Sequence, residues 1–303
     1  MRKLLTVLVS LIVLASAHAN LTFTINYSQD SLNFFNTQAK KDAMQAAANY
    51  VASLISNTAL SAITPGGMNT WDTIISNPGT GGLTTFTNLS IGANNIVIYA
   101  GGRDLGGSVL GLAGPAGFSA SGTQPFLDSI QFRGNGTFRM TSVGSVAFST
   151  TFMFYFDDDF TTIESGAMAG KADFFSIAAH EIGHILGFGT NASWAALATV
   201  SHTFIGAAST AANGGTPPAL TTDDGHWATG TTSTVFGTST LQDTLMSPTI
   251  SLGQRKYLTT LDLAGLSDIG FTAVPEPAHV ALGAGVVVFA PRHLFSPPPR
   301  RLI

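Results

Sequence analysis

His180, Glu181 and His184 stand together in the stretch SIAAHEIGHILGFGT, residues 176–190. Their types and spacing suit metal-assisted hydrolysis. In an α-helix, side chains four residues apart project from one face, about 6 Å apart along the axis. Both imidazoles can then share one tetrahedral cation at roughly 2.1 Å each. Glu181 falls beside such a cation rather than on it, where it can take a proton from an activated water and later pass it to a leaving amine. Two histidines leave the site incomplete. In the pattern H-E-x-x-H-x-x-G-x-x-H the third ligand falls at position 190, and this chain has Thr190 there. Either the third ligand comes from elsewhere, or a buried amphipathic helix matches the short motif by chance.

The remaining candidates are few. After Glu181 the next glutamate is Glu276, close to the C-terminus, so a glutamate from a later helix of the same domain is excluded. Asp223, Asp224, Asp243, Asp262 and Asp268 remain formally open as carboxylate ligands. Of the seven histidines, His18 lies in an N-terminal leader and His279 and His293 in a C-terminal tail. That leaves His202 or His226 to join His180 and His184. His202, in ATVSHTFIGAAS, suits a loop-capping or loop-lining role as well as a ligand role. His226, in DDGHWA, is followed by LQDTLMSP.

The order HEIGHILGFG, an insertion, GHW, LMSP and finally YLTTLDLAGLSDIGF resembles the leishmanolysin branch of the metzincins, over roughly residues 170–272. The resemblance implies His180, His184 and His226 as ligands of one catalytic Zn2+ and Glu181 as general base. It further implies Met246 as the methionine of a Met-turn beneath the metal, and Gly187 as the turn by which the chain leaves the active-site helix. The implied fold is α+β: a mixed, twisted N-terminal sheet, the active-site helix, and a C-terminal subdomain with the Met-turn and a closing helix. The implied activity is that of a secreted zinc endopeptidase acting on peptide or protein substrates. Two rival expectations stand beside it: a catalytically degenerate zincin that binds within an extracellular polysaccharide matrix, and a hydrolase of non-peptide amides. The intact His180, Glu181 and His184 argue against the first.

Several elements must position these residues. Asp173 reads as the N-cap of the helix carrying the motif, and Gly187 and Gly189 suit its C-terminal end. Residues 39–56 have helical periodicity among good helix formers. NNIVIYAGG (94–102) reads as a buried strand, and the glycine-rich 106–122 as a loop without the lysine of a phosphate-binding loop. SIQFRGNGTFRM (129–140) reads as a hairpin about Asn135-Gly136. SVAFSTTFMFYF (145–156) reads as one strand and as the candidate edge strand above the cleft. Asp157, Asp158 and Asp159 read as a solvated turn; a calcium site there is possible but unsupported, because hard cations need six or more oxygens from several segments.

The two ends read as processing signals. Arg2 and Lys3, the apolar run Leu4–Ala15 and Ala17-His18-Ala19 form a secretory signal over residues 1–19, too short for a membrane span of roughly 20 apolar residues. Pro275-Glu276-Pro277, the apolar run Ala278–Ala290, and Arg292, Arg300 and Arg301 resemble a PEP-CTERM sorting tail, over residues 274–303. That resemblance implies export from a Gram-negative cell, transient anchoring in the membrane, and removal by an exosortase-type enzyme, leaving the protein at the cell surface or outside. Between the ends lies a metalloprotease-like domain over residues 20–273, divided into 20–187 and 188–273. Charged residues make up only 10% of the chain, with net charge −4, and the body is more acidic still without the basic ends. Nucleic acid is thereby excluded as a partner. The chain has no cysteine, which rules out disulfides and thiolate zinc ligands.

Overall fold

The computed structural model of this protein describes residues 21–56, 59–162 and 165–275. The signal segment and almost all of the sorting tail lie outside the described residues. In chain order the elements are β1 (Thr22–Asn26), α1 (Gln38–Ser53), β2 (Ile55–Ser56), β3 (Thr70–Ser76), β4 (Leu83–Thr87), β5 (Asn95–Arg103), β6 (Gly111–Pro115), β7 (Gly117–Ser121), α2 (Gln124–Gln131), β8 (Val143–Ser149), β9 (Phe154–Tyr155), α3 (Ser165–Met168), β10 (Ala172–Asp173), α4 (Phe174–Leu186), α5 (Ala192–Ala195), α6 (Ala207–Ala212), β11 (Thr232–Thr234), β12 (Leu241–Asp243), α7 (Thr260–Asp268) and β13 (Thr272–Ala273). The class is α+β, as expected.

The main sheet has the order β1-β5-β8-β6. β1, β5 and β8 run parallel, and β6 closes the edge antiparallel to β8. Every residue of β8 is buried, which is why VGSVAFS is a continuous small and apolar run rather than an alternating one. A second, antiparallel sheet has the order β4-β3-β7. Its Trp71 and Ile75 pack with Ile91, Tyr99, Phe126 and Val143 in a smaller core.

Helix α4 crosses beneath the main sheet and is buried on nearly all sides; of its residues only His180 is not fully buried. It touches α1, β6 and β8. A helix apolar all round belongs in a core, and Phe174, Phe175, Ile177, Ile182 and Ile185 place it there. The N-terminal segment is part of the same body, since β1 pairs with β5 and α1 packs on α4.

Four expectations are corrected. Residues 106–122 contain β6 and β7 rather than a loop alone. Their Gly, Ala and Ser residues carry little strand signal, but small side chains let β6 lie against α4. Residues 129–140 form no hairpin: Thr123 and Pro125 start helix α2 there, and Arg133 ends it with φ +51°. The buried Arg133 guanidinium donates to the carbonyls of Ser61, Gly92 and Asn95, tying this turn to two other segments. Residues 145–156 are two strands, because the chain turns after Ser149. Finally, Asp157 lies not in a solvated turn but against the buried Arg255, at 3.1 Å.

Candidate metal centre

Helix α4 starts and stops as its sequence dictates. The Asp173 carboxylate accepts from the Ser176 amide and hydroxyl, satisfying an amide that no helical carbonyl reaches. It also receives a bidentate pair from Arg255, Nε at 3.1 Å and Nη2 at 2.9 Å. The C-terminal segment is thus clamped to the first turn of the helix. Gly187 closes the helix in the left-handed region with φ +113°. Thr190, which takes the place of the third histidine in the extended motif, donates its hydroxyl to the His184 carbonyl at 2.6 Å. It caps the helix that carries His180 and His184.

His180, His184 and His226 meet at one point, and their ligand atoms lie within 4.8 Å of one another. The His184 Nε2 atom is 3.0 Å from Nε2 of His180 and 3.1 Å from Nε2 of His226. For comparison, imidazole nitrogens at 2.0–2.1 Å from a tetrahedral cation are separated by about 3.3–3.4 Å. The opposite ring atoms explain why no proton fills the gap. His180 Nδ1 donates to the Leu245 carbonyl at 2.8 Å, and His184 Nδ1 to the Phe188 carbonyl at 2.9 Å. A carbonyl only accepts, so each Nδ1 carries the hydrogen and each Nε2 presents a lone pair. Facing lone pairs repel unless a cation sits between them.

Protonation does not relieve that repulsion. Burial, then His184 and His226, pushes the His180 pKa well below 6.5. Burial and then His226 lower His184 to about 4. Burial lowers His226 as well, against the pull of Asp223. All three are neutral at pH 7, the form that ligates metals. Neutral nitrogen donors in this number suit zinc and its transition-metal neighbours rather than calcium or magnesium.

Of the alternatives left open by the sequence, His226 is the one brought to His180 and His184. His202 is turned away to Asp224, at 2.9 Å. Among the described residues, none of the five candidate aspartates belongs to the histidine group. His226 is brought in by a backbone contact: a methyl group at Gly189 would collide with the Gly225 carbonyl oxygen and lie 2.7 Å from Gly225 Cα. Behind it, Trp227 is fully buried among Phe188, Trp194 and Phe204.

Two residues with no supporting role legible in the sequence hold this arrangement. Asp262, fully buried on α7, accepts from the amides of Leu245 (2.9 Å), Met246 (3.2 Å) and Thr259 (2.8 Å), from the Thr259 hydroxyl, and from Trp227 Nε1 at 3.0 Å. Burial raises its pKa, and these donors oppose the rise. One carboxylate thus fixes both the residue after His226 and the peptide whose carbonyl orients His180. Gly183 is the other: a methyl group there would fall 2.6 Å from Met246 Sδ, so glycine lets Met246 pack directly under α4. Thr259-x-x-Asp262 carries a visible capping-box signal for α7, but nothing local shows that the same carboxylate reaches Leu245.

Glu181 lies on the same helix, 5% exposed, and burial alone raises its pKa to about 8. A cation on the three imidazoles pulls it back toward the carboxylate. Glu181 and the histidines line a cavity of about 560 Å³, whose opposite wall includes residues 108–113 of β6 and its approach. The strand beside the cleft is therefore β6 rather than β8, which is interior to the sheet. Gly111 is pressed on the carboxylate: a methyl group there would lie 2.8 Å from Glu181 Cγ and Cδ. Of the aspartate triplet, Asp157 pairs with Arg255, whose Nη1 bonds Asp157 Oδ2 and the carbonyls of Asp159 and Thr162, while Asp158 and Asp159 are exposed. The chain matches no known family model, and comparison with curated proteins finds no match.

Proposed function

We propose that this chain is a zinc-dependent endopeptidase in which His180, His184 and His226 hold the metal and Glu181 is the general base. The observation that carries the reading is the set of three imidazole nitrogens converging on one point, with the Nε2 lone pairs of His180 and His184 turned on each other, beside a buried carboxylate in a cleft rimmed by a sheet edge. A zinc ion bound there supplies Lewis acidity to water and to a carbonyl oxygen. Glu181 takes one proton from the attacking water as its oxygen bonds to the carbonyl carbon. It returns that proton to the amide nitrogen as the C–N bond breaks. β6 offers its free edge to an extended peptide, which would pair with it as an added strand. His180 and His184 stay oriented through the carbonyls of Leu245 and Phe188.

The resemblance to the leishmanolysin branch of the metzincins belongs to the same proposal, with Met246 as the Met-turn residue and Gly187 as the helix exit. So does export through the secretory pathway, with the C-terminal tail as substrate of an exosortase-type enzyme. The test is metal content together with proteolysis. Wild type is expected to hold one zinc per chain and to cleave casein. Glu181→Gln keeps the zinc and loses cleavage; His226→Ala loses the zinc, and His202→Ala does not. Zinc retained in full by His226→Ala would overturn the ligand set. Zinc bound by wild type without hydrolysis of any peptide would favour a degenerate zincin with a binding role.

A further inference from the structure

Lys256 lines the same cavity as Glu181 and the histidines, and it is the one lysine or arginine among the lining residues. Its side chain is 3% exposed. An ammonium has three donors. One meets the Thr249 carbonyl at 3.1 Å. The carboxylate of Asp243 stands at 3.8 Å, beyond hydrogen-bond distance, and is itself half exposed. The lining of this cavity mixes the apolar Ile177, Leu245, Pro248 and Ile250 with the hydroxyls of Ser176, Ser247 and Thr249, and its one carboxylate is that of Glu181. The counter-charges of Lys256 are a half-exposed Asp243 at 3.8 Å and the more general field of Asp262, so a carboxylate arriving at hydrogen-bond distance adds a closer partner to a buried charge. The cleft thus has one fixed positive charge on its wall, separate from the metal ligands.

We infer that Lys256 is a specificity-determining residue that selects substrates presenting a carboxylate next to the scissile bond. The inference rests on the endopeptidase reading above. The carboxylate has two sources in a peptide: an aspartate or glutamate side chain flanking the cleaved bond, or a nearby C-terminal carboxylate. A glutamine peptide fills the same space without the charge, so Glu against Gln isolates the electrostatic part. Charge-assisted pairing in a partly buried cleft is expected to favour glutamate at least about tenfold in kcat/KM.

The experiment uses the zinc-loaded protein and hexapeptides that differ only by Glu, Gln or Lys at each position flanking the cleaved bond, with cleavage followed by mass spectrometry. A second set pairs free with amidated C-termini to separate the two carboxylate sources. Binding of the same peptides to Glu181→Gln is measured in parallel by fluorescence anisotropy, independently of turnover. At one flanking position the Glu/Gln ratio is expected to be tenfold or more, to fall to near one in Lys256→Met, and to be restored by Lys256→Arg. A purely structural lysine would lower all peptides together and leave the ratio intact. Equal cleavage of Glu and Gln peptides by wild type overturns this inference and leaves the protease reading standing. No cleavage and no binding of any peptide overturns both.

Discussion

Replacing Asp262 with asparagine changes one atom and leaves the volume nearly the same. In the native protein one carboxylate oxygen receives the Met246 amide and Trp227 Nε1, and the other receives the amides of Leu245 and Thr259 and the Thr259 hydroxyl. Asparagine has one acceptor oxygen. In its better orientation it keeps three of these donors and turns its own NH2 on the other two. Hydrogen bonds to a charged group contribute about 1.5–3 kcal/mol each, and a buried donor left alone costs about 1–3 kcal/mol. Losing two therefore gives a destabilisation of about 3–5 kcal/mol, at the upper end for single substitutions. The Leu245 peptide links Asp262 to His180 Nδ1, and Trp227 follows His226 directly, so loosening them also loosens two ligands. A 10- to 100-fold loss of zinc affinity is expected, the usual size for a residue that orients a ligand through another group. Urea unfolding of the metal-free protein measures the first effect, and competition with a chromophoric chelator the second. A change below about 1 kcal/mol with zinc affinity held within twofold would refute the claim that Asp262 organises the centre.

Three further outcomes are expected. Gly111→Ala places a methyl group against Glu181 and is expected to lower kcat by at least about tenfold while zinc stoichiometry, read by elemental analysis, stays at one. Arg255→Met leaves Asp173 buried without its cation and is expected to cost about 3–5 kcal/mol in urea unfolding, with partial fraying of the start of α4. Metal-free Glu181→Gln, in which the opposing titration of the raised Glu181 carboxyl is absent, is expected to lose stability on mild acidification. His184 takes up its proton near 6.5 when unfolded but only near 4 when folded, so between those values the unfolded state binds more protons. The contribution is fully present above about pH 6.5 and is lost as pH falls toward 4, by about 3 kcal/mol from His184 alone. Unfolding midpoints at pH 7, 6 and 5 test this, and a flat profile would contradict the buried-neutral assignment.

The part of the site that lies on one helix was legible in the sequence, because helical geometry converts spacing into direction: His180, Glu181 and His184, the Asp173 cap and the Gly187 exit are all local. His226 was reachable by counting the available ligands and by resemblance, since its approach depends on a backbone contact between Gly189 and Gly225 that no pattern announces. β6 was hidden because Gly, Ala and Pro give little strand signal; its reason for existing is the helix it must lie against. The hairpin expected at 129–140 failed for a related reason. Asn135-Gly136 follows a turn at 132–134, but Arg133 sends its guanidinium to carbonyls far along the chain, and this long-range demand overrides the local preference. Asp262 was readable as a helix-capping residue and unreadable as a support of the metal centre, because its other partners lie sixteen or more residues away.

The route by which His226 arrives has a consequence for how the protein assembles. His180 and His184 come together as soon as α4 forms, whereas His226 is 42 residues beyond His184, and closing that loop carries an entropic cost that local helix formation does not. A metal ion meeting the partly folded chain therefore finds two ligands early and the third only when the 191–225 segment docks and Trp227 enters its aromatic nest. In the proposed zinc enzyme, full zinc affinity is expected only once this segment has docked. A metal held there would act as a latch on the C-terminal segment, and its release rate would report how often that segment opens.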